Sequence, residues 1–76
     1  MPHAVVKMYP GKTEAQKQAL AAEITAAIVK INGCGESAVS VAIEDVQPED
    51  WTATVYVPEI VEKSATIYKK PGYDPR

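Results

Sequence analysis

At 76 residues the chain has room for one small domain with a modest core, spanning residues 1–76. Its net charge of −2 leaves no electrostatic footprint for nucleic acid. No apolar run approaches the roughly 20 residues of a membrane span.

Residues 2–9 alternate, with Ala4, Val6 and Met8 on one side and His3, Val5, Lys7 and Tyr9 on the other, as in a half-buried strand headed by Pro2. Pro10-Gly11 breaks it. Thr13 followed three residues later by Gln16 is a capping-box signature. From Thr13 to about Ile31 the residues Leu20, Ile24, Ala27, Ile28 and Ile31 recur at helical spacing and read as core, with Lys17, Glu23 and Lys30 turned away. Asn32-Gly33-Cys34-Gly35 ends the helix with residues that tolerate positive φ. Cys34 is the single cysteine, so it forms no internal disulfide; it reads as a loop or core-edge thiol of a reducing compartment. With no second Cys or nearby His, metal binding is not expected. The amino terminus lacks the regions of a signal peptide, and the expected location is the cytoplasm.

Ala38 to Val46 alternates again and predicts the second strand. Strand, long helix, strand is a βαβ unit, whose right-handed crossover makes the strands parallel. The fold class expected is α+β: two parallel strands, one long helix and a short helical tail. Two strands make too small a sheet to stand alone, so sheets joined by oligomerisation follow from size and topology. In the tail, Gln47-Pro48-Glu49-Asp50-Trp51 suits a turn or helix start. Residues 52–57 have strand-like propensity but are left open between strand, helix and irregular structure. Pro58 is expected to restart the chain, and Ile60, Val61, Ser64, Ile67 and Tyr68 suit a helical face running to about Lys70 before Pro71-Gly72 stops it.

The residue with most chemical promise is Pro2. Small second residues usually let the initiator methionine be cut away, which turns Pro2 into a terminal secondary amine, a base. The strand from Pro2, the Gly11-Lys12 turn and the helix opening Thr13-Glu14-Ala15-Gln16-Lys17 resemble the tautomerase superfamily of 4-oxalocrotonate tautomerase, ungapped to about Trp51. The Met-Pro-His opening and the ending Tyr68-Lys69-Lys70-Pro71-Gly72-Tyr73 are similar to the branch acting on phenylenolpyruvate.

That resemblance implies a cofactor-independent keto–enol tautomerase acting on small 2-hydroxy-alkenoates, with the amino-terminal proline, here Pro2, as general base. It implies a homo-oligomer, a dimer favoured over a hexamer. The family's arginine in the turn after the first strand falls on Lys12, which keeps the charge but loses the bidentate fork. Its arginine in the second strand falls on Ser40, which loses the charge and favours a mono-acid substrate. The aromatic pocket wall falls on Trp51. A desolvating wall and a nearby cation, Lys12 or also Lys7, would lower an amine that ordinarily titrates at roughly 7.7–8.0 or somewhat above. Structural readings stand beside these: Lys12 as a solvated turn lysine, Trp51 as core, Ser40 as a small sheet residue. His3 is a second acid–base group by type, but alternation turns it away from Pro2. The rival from another class is a non-catalytic oligomeric small-ligand-binding protein with a vestigial site, which a retained Met1 would favour.

Overall fold

The computed structural model describes residues 1–76, which fall into two compact units, Met1–Asp45 and Val46–Arg76. The first unit is the expected α+β element: β1 (His3–Met8), α1 (Glu14–Asn32) and β2 (Ser40–Asp45). The two strands pair in parallel with His3 opposite Ser40, Val5 opposite Ala42 and Lys7 opposite Glu44. Because side chains alternate, these three pairs share one face. Ala4 with Val41 and Val6 with Ile43 share the other, against which α1 lies.

The helix starts where its cap dictates. The Thr13 hydroxyl accepts from the Gln16 N–H at 3.1 Å, and the Gln16 side chain accepts from the Thr13 N–H at 2.8 Å. Two of the N–H groups that a helix start leaves without partners are thereby satisfied. At the other end Gly33, at φ 73°, donates its N–H to the Val29 carbonyl, a left-handed closure that glycine makes without strain.

The face of α1 differs from the sequence expectation. The half-buried residues are Lys17, Ala21, Ile24, Thr25, Ile28 and Val29, whereas Leu20 and Ala27 are exposed and Ile31 is 78% exposed. The helix carries apolar or alanine side chains on adjoining faces, so its pattern does not single out one. The Lys17 ammonium pairs with Asp45 at the end of β2, 3.0 Å away, while its stem lines a cleft with Ala21, Val41 and Ile43. Lys17, read as turned outward, is therefore part of the helix–sheet seam. The second strand also starts later than residue 38. The N–H groups of Ala38 and Val39 close a single 3₁₀ turn onto Gly35 and Glu36, and the ladder takes over at Ser40.

In the second unit, a 3₁₀ turn at Pro48–Asp50 leads into Trp51 and a ten-residue π-helix, Thr52–Val61. This resolves residues 52–57 as helical. It also corrects the reading of Pro58 as a restart, since Pro58 lies inside the helix. In α-helical winding the ring of Pro58 would strike the Thr54 carbonyl. The wider i→i+5 winding, seen in the Glu62 N–H bond to the Val57 carbonyl, relieves that clash. Val55 and Tyr56 on this helix are the chain's only buried side chains, each 6% exposed. No helical face continues to Lys70: the winding ends at Val61, one 3₁₀ turn occupies Ser64–Thr66, and Tyr68 is fully exposed.

Removing the cap hydroxyl tests how far the first unit depends on α1. Thr13→Ala is expected to cost about 1 kcal/mol. That corresponds to a fall of about 4–8 °C in the melting temperature for a domain of this size. Thermal circular dichroism at one fixed protein concentration measures it.

Candidate active site

Pro2 is half-buried immediately ahead of β1. Its carbonyl accepts a hydrogen bond from the Ser40 N–H at 3.2 Å, so the first residue of β2 fixes the residue that heads β1. Proline has no N–H, and its nitrogen takes no part in the ladder. The Ser40 hydroxyl lies 2.6 Å from His3 Nδ1, directly across the strand pair. It donates to a neutral Nδ1 or accepts from an Nδ1–H, according to the tautomer. Pro2, His3 and Ser40 thus form one connected group, in which the side chain of Ser40 is already committed to His3.

Lys12 stands elsewhere. It lines a cleft of about 220 Å³ with Met8, Gln16, Lys17 and Leu20 at the far end of β1. Lys17 is committed to Asp45, which leaves Lys12 as the cation of this cleft. The six residues of β1 separate Pro2 from the turn bearing Lys12, about 20 Å at the usual strand rise. That is about twice the screening length at 0.1 M salt. Pro2 and Lys12 of a single chain are therefore not brought together.

Trp51 belongs to the second unit and is half-buried. Its indole Nε1–H donates to the Tyr73 hydroxyl at 3.0 Å. The Tyr73 ring packs tilted on Tyr56, centroids 5.6 Å apart, and the Tyr56 hydroxyl donates to the Tyr73 carbonyl at 3.5 Å. The Arg76 guanidinium caps the Tyr56 ring at 5.3 Å and pairs with Asp74 at 3.0 Å. The hydrogen bonds from Arg76 hold the Asp74 carboxyl below the usual carboxylate range. Sequence reasoning missed Tyr73 as a partner of Trp51. The two are far apart in the chain with no shared periodicity, and the Pro71-Gly72 turn is the only local sign that the chain bends back before Tyr73.

No cluster of three or more His, Cys, Asp or Glu side chains is placed to hold a metal ion. Cys34 is a half-buried free thiol beside the helix cap. No helix is long and apolar enough to cross a membrane.

A small βαβ unit with a proline at the head of its first strand defines a class of protein that comparison makes specific. The family described as tautomerase enzyme matches residues 2–59, beginning at Pro2. Tautomerase PptA of Cronobacter sakazakii is 48% identical over 75 residues, covering 97% of this chain and 99% of that protein. A probable tautomerase of Xylella fastidiosa is 42% identical over 73 residues, covering 96% and 89%. Tautomerase PptA of Escherichia coli is 42% identical over 74 residues, covering 96% and 97%. The chain belongs to the tautomerase family and is an isomerase. The non-catalytic rival is set aside on that ground.

The His3–Ser40 contact is open to measurement by a double-mutant cycle. His3→Ala and Ser40→Ala are each expected to cost about 0.5–1 kcal/mol, and together less than their sum. Urea denaturation of the four proteins gives the coupling; strict additivity would show that the 2.6 Å contact contributes nothing.

Proposed function

We propose that this tautomerase interconverts the enol and keto forms of small 2-keto acids without a cofactor, with Pro2 as the general base. The observation that carries the reading is the position of Pro2. It heads β1 with its carbonyl held by Ser40, and it is the first residue of the family match. While Met1 is attached the Pro2 nitrogen is an amide and has no basic lone pair. The catalytic form is the chain from which Met1, here fully exposed, has been removed. The amine then takes the enol hydroxyl proton and delivers a proton to the neighbouring carbon, giving the ketone and regenerating the free amine. The substrate class is the 2-hydroxy-alkenoates, phenylenolpyruvate among them, with Trp51 as an apolar or aromatic wall of the pocket.

The substrate carboxylate goes to Lys12, and the length of β1 between Pro2 and the Lys12 turn favours a lysine supplied by a second chain. The assembly is a homo-oligomer, most simply a dimer of cytoplasmic protein. Two strands with an exposed Val5, and a helix with Leu20 and Ile31 exposed, supply apolar surface for it.

Subunit mixing tests the base and the shared site together. Pro2→Ala is expected to lose nearly all tautomerisation, and Lys12→Ala to raise KM. Refolded together as dimers, half of the assemblies are hybrids, each with one intact site and one doubly altered site, so about a quarter of parental activity returns. Absorbance of phenylenolpyruvate follows the reaction, and intact mass confirms removal of Met1. Wild-type speed in Pro2→Ala would remove Pro2 as base; no recovery on mixing would remove the shared site.

Substrate choice follows from Ser40. A second buried carboxylate needs a cation, and position 40 offers a neutral hydroxyl already bound to His3. A charge-assisted contact contributes roughly 1.5–3 kcal/mol, so phenylenolpyruvate is expected to exceed the diacid 2-hydroxymuconate by about ten- to a hundredfold in kcat/KM. Ser40→Arg should narrow the gap. A preference for the diacid in the parent protein would show a cation from elsewhere.

A further inference from the structure

We infer that Tyr73 is a positioning residue for Trp51, its phenol oxygen setting the plane in which the indole meets substrate. The inference rests on the reading of Trp51 as a pocket wall, and goes beyond it by naming what holds that wall. An indole has one polar handle, the Nε1–H, and a bond there removes much of the ring's freedom to rock about its side-chain torsions. Here the handle is taken by Tyr73 at 3.0 Å.

Tyr73 is itself held at two points, and its partner Tyr56 at a third. Its ring lies on Tyr56, one of the two buried side chains of the whole protein. Its carbonyl accepts from the Tyr56 hydroxyl. Three residues on, Arg76 closes over the opposite partner of that contact by capping the Tyr56 ring, and Asp74 fixes Arg76 by accepting from both its backbone N–H and its guanidinium. The chain of contacts therefore runs from a buried anchor, Tyr56, through Tyr73 to the indole. The final four residues, Tyr73 to Arg76, form a clasp with its fixed end on Tyr56 and its working end on Trp51.

The site also permits a clean deletion of the bond. Tyr73 is 48% exposed, so phenylalanine in its place opens no cavity and keeps the ring on Tyr56. Only the oxygen that accepts from the indole is lost. Trp51 is the only tryptophan, so its fluorescence reports this one side chain without ambiguity.

The experiment compares the parent protein, Tyr73→Phe, a chain lacking residues 73–76, Trp51→Phe and the double variant Trp51→Phe/Tyr73→Phe. Acrylamide quenching of Trp51 is read for the tryptophan-containing proteins, and KM and kcat for phenylenolpyruvate are read for all. Tyr73→Phe is expected to raise quenching and to raise KM about three- to tenfold, the loss of one hydrogen bond, with kcat within about twofold and unchanged circular dichroism. In the Trp51→Phe background the same change should do nothing further, because the group it positions is gone. Quenching identical to the parent in both Tyr73→Phe and the shortened chain overturns the clasp itself. Raised quenching with KM unmoved in Tyr73→Phe, while Trp51→Phe raises KM, overturns the positioning role. Raised quenching with KM unmoved in every variant overturns the reading of Trp51 as a wall, and the role of Tyr73 with it.

Discussion

The bond from the Ser40 N–H to the Pro2 carbonyl ties the start of β1 to the start of β2, and most of the first unit depends on it. It opens the parallel ladder in the register that pairs His3 with Ser40. A slip of β1 by one residue would turn Ala4 and Val6 away from the helix and bring His3, Val5 and Lys7 inward. At the far end Met8 stands opposite Asp45, and Asp45 takes the Lys17 ammonium, which ties α1 to β2 there. Between these two points the crossover helix has little freedom, because its own start is set by Thr13 and Gln16 and its end by Gly33. The proline is thus carried on a frame pinned at both ends, although proline itself donates nothing to that frame.

A two-stranded sheet with one covering helix is a small amount of structure to hold the proline that heads β1. None of the residues of β1, α1 or β2 is fully buried, and Val5 is 46% exposed. Burying one such aliphatic side chain contributes roughly 1.5–3 kcal/mol. Folded proteins are stable by only about 5–15 kcal/mol in total. A few side chains such as Val5, Leu20 and Ile31 closing against another copy are therefore comparable with the whole margin. On the oligomeric reading, stability and assembly are the same question.

The elements that were legible in the amino-acid sequence are those with local causes. Alternation revealed β1, the Thr13–Gln16 pair revealed the start of α1, and Gly33 its end. Helix existence was also secure, but its orientation was not, because alanines and Val29 extend the apolar stripe of Ile24 and Ile28 around the helix, and the strand residues it packs on, Val41 and Ile43, are far away in sequence. The π-helix escaped for a related reason. Thr52, Thr54, Val55 and Val57 favour strands locally, and Pro58 argues for a break. Only the wider winding reconciles the proline with a continuous helix, and no local propensity encodes that. At the candidate site Pro2 stands out in the sequence because the chemistry proposed for it depends on its place in the chain. The partners of Ser40 and Trp51 were not legible, since His3 and Tyr73 reach them through tertiary contacts alone.

On the two-chain reading of the site, Lys12 has two effects on Pro2, and their sizes can be ranked. An amine titrating near 8 is about one-tenth unprotonated at neutral pH, and one titrating about a unit higher about one-hundredth. Lowering its pKa therefore gains about ten- to a hundredfold in the concentration of free base, and some of that is lost because a weaker base removes a proton more slowly. Holding the substrate carboxylate acts differently. It fixes the reacting carbon against the nitrogen, and orientation of this kind is worth far more than that when the bound geometry is close to that of reaction. The charge of Lys12 thus matters less for what it does to the proline than for where it puts the substrate. A lysine meets that need with a point charge, whereas an arginine would add a fixed plane. With lysine at position 12 and, at position 40, a serine whose hydroxyl is held by His3, the two positions together supply one charge and no fixed plane.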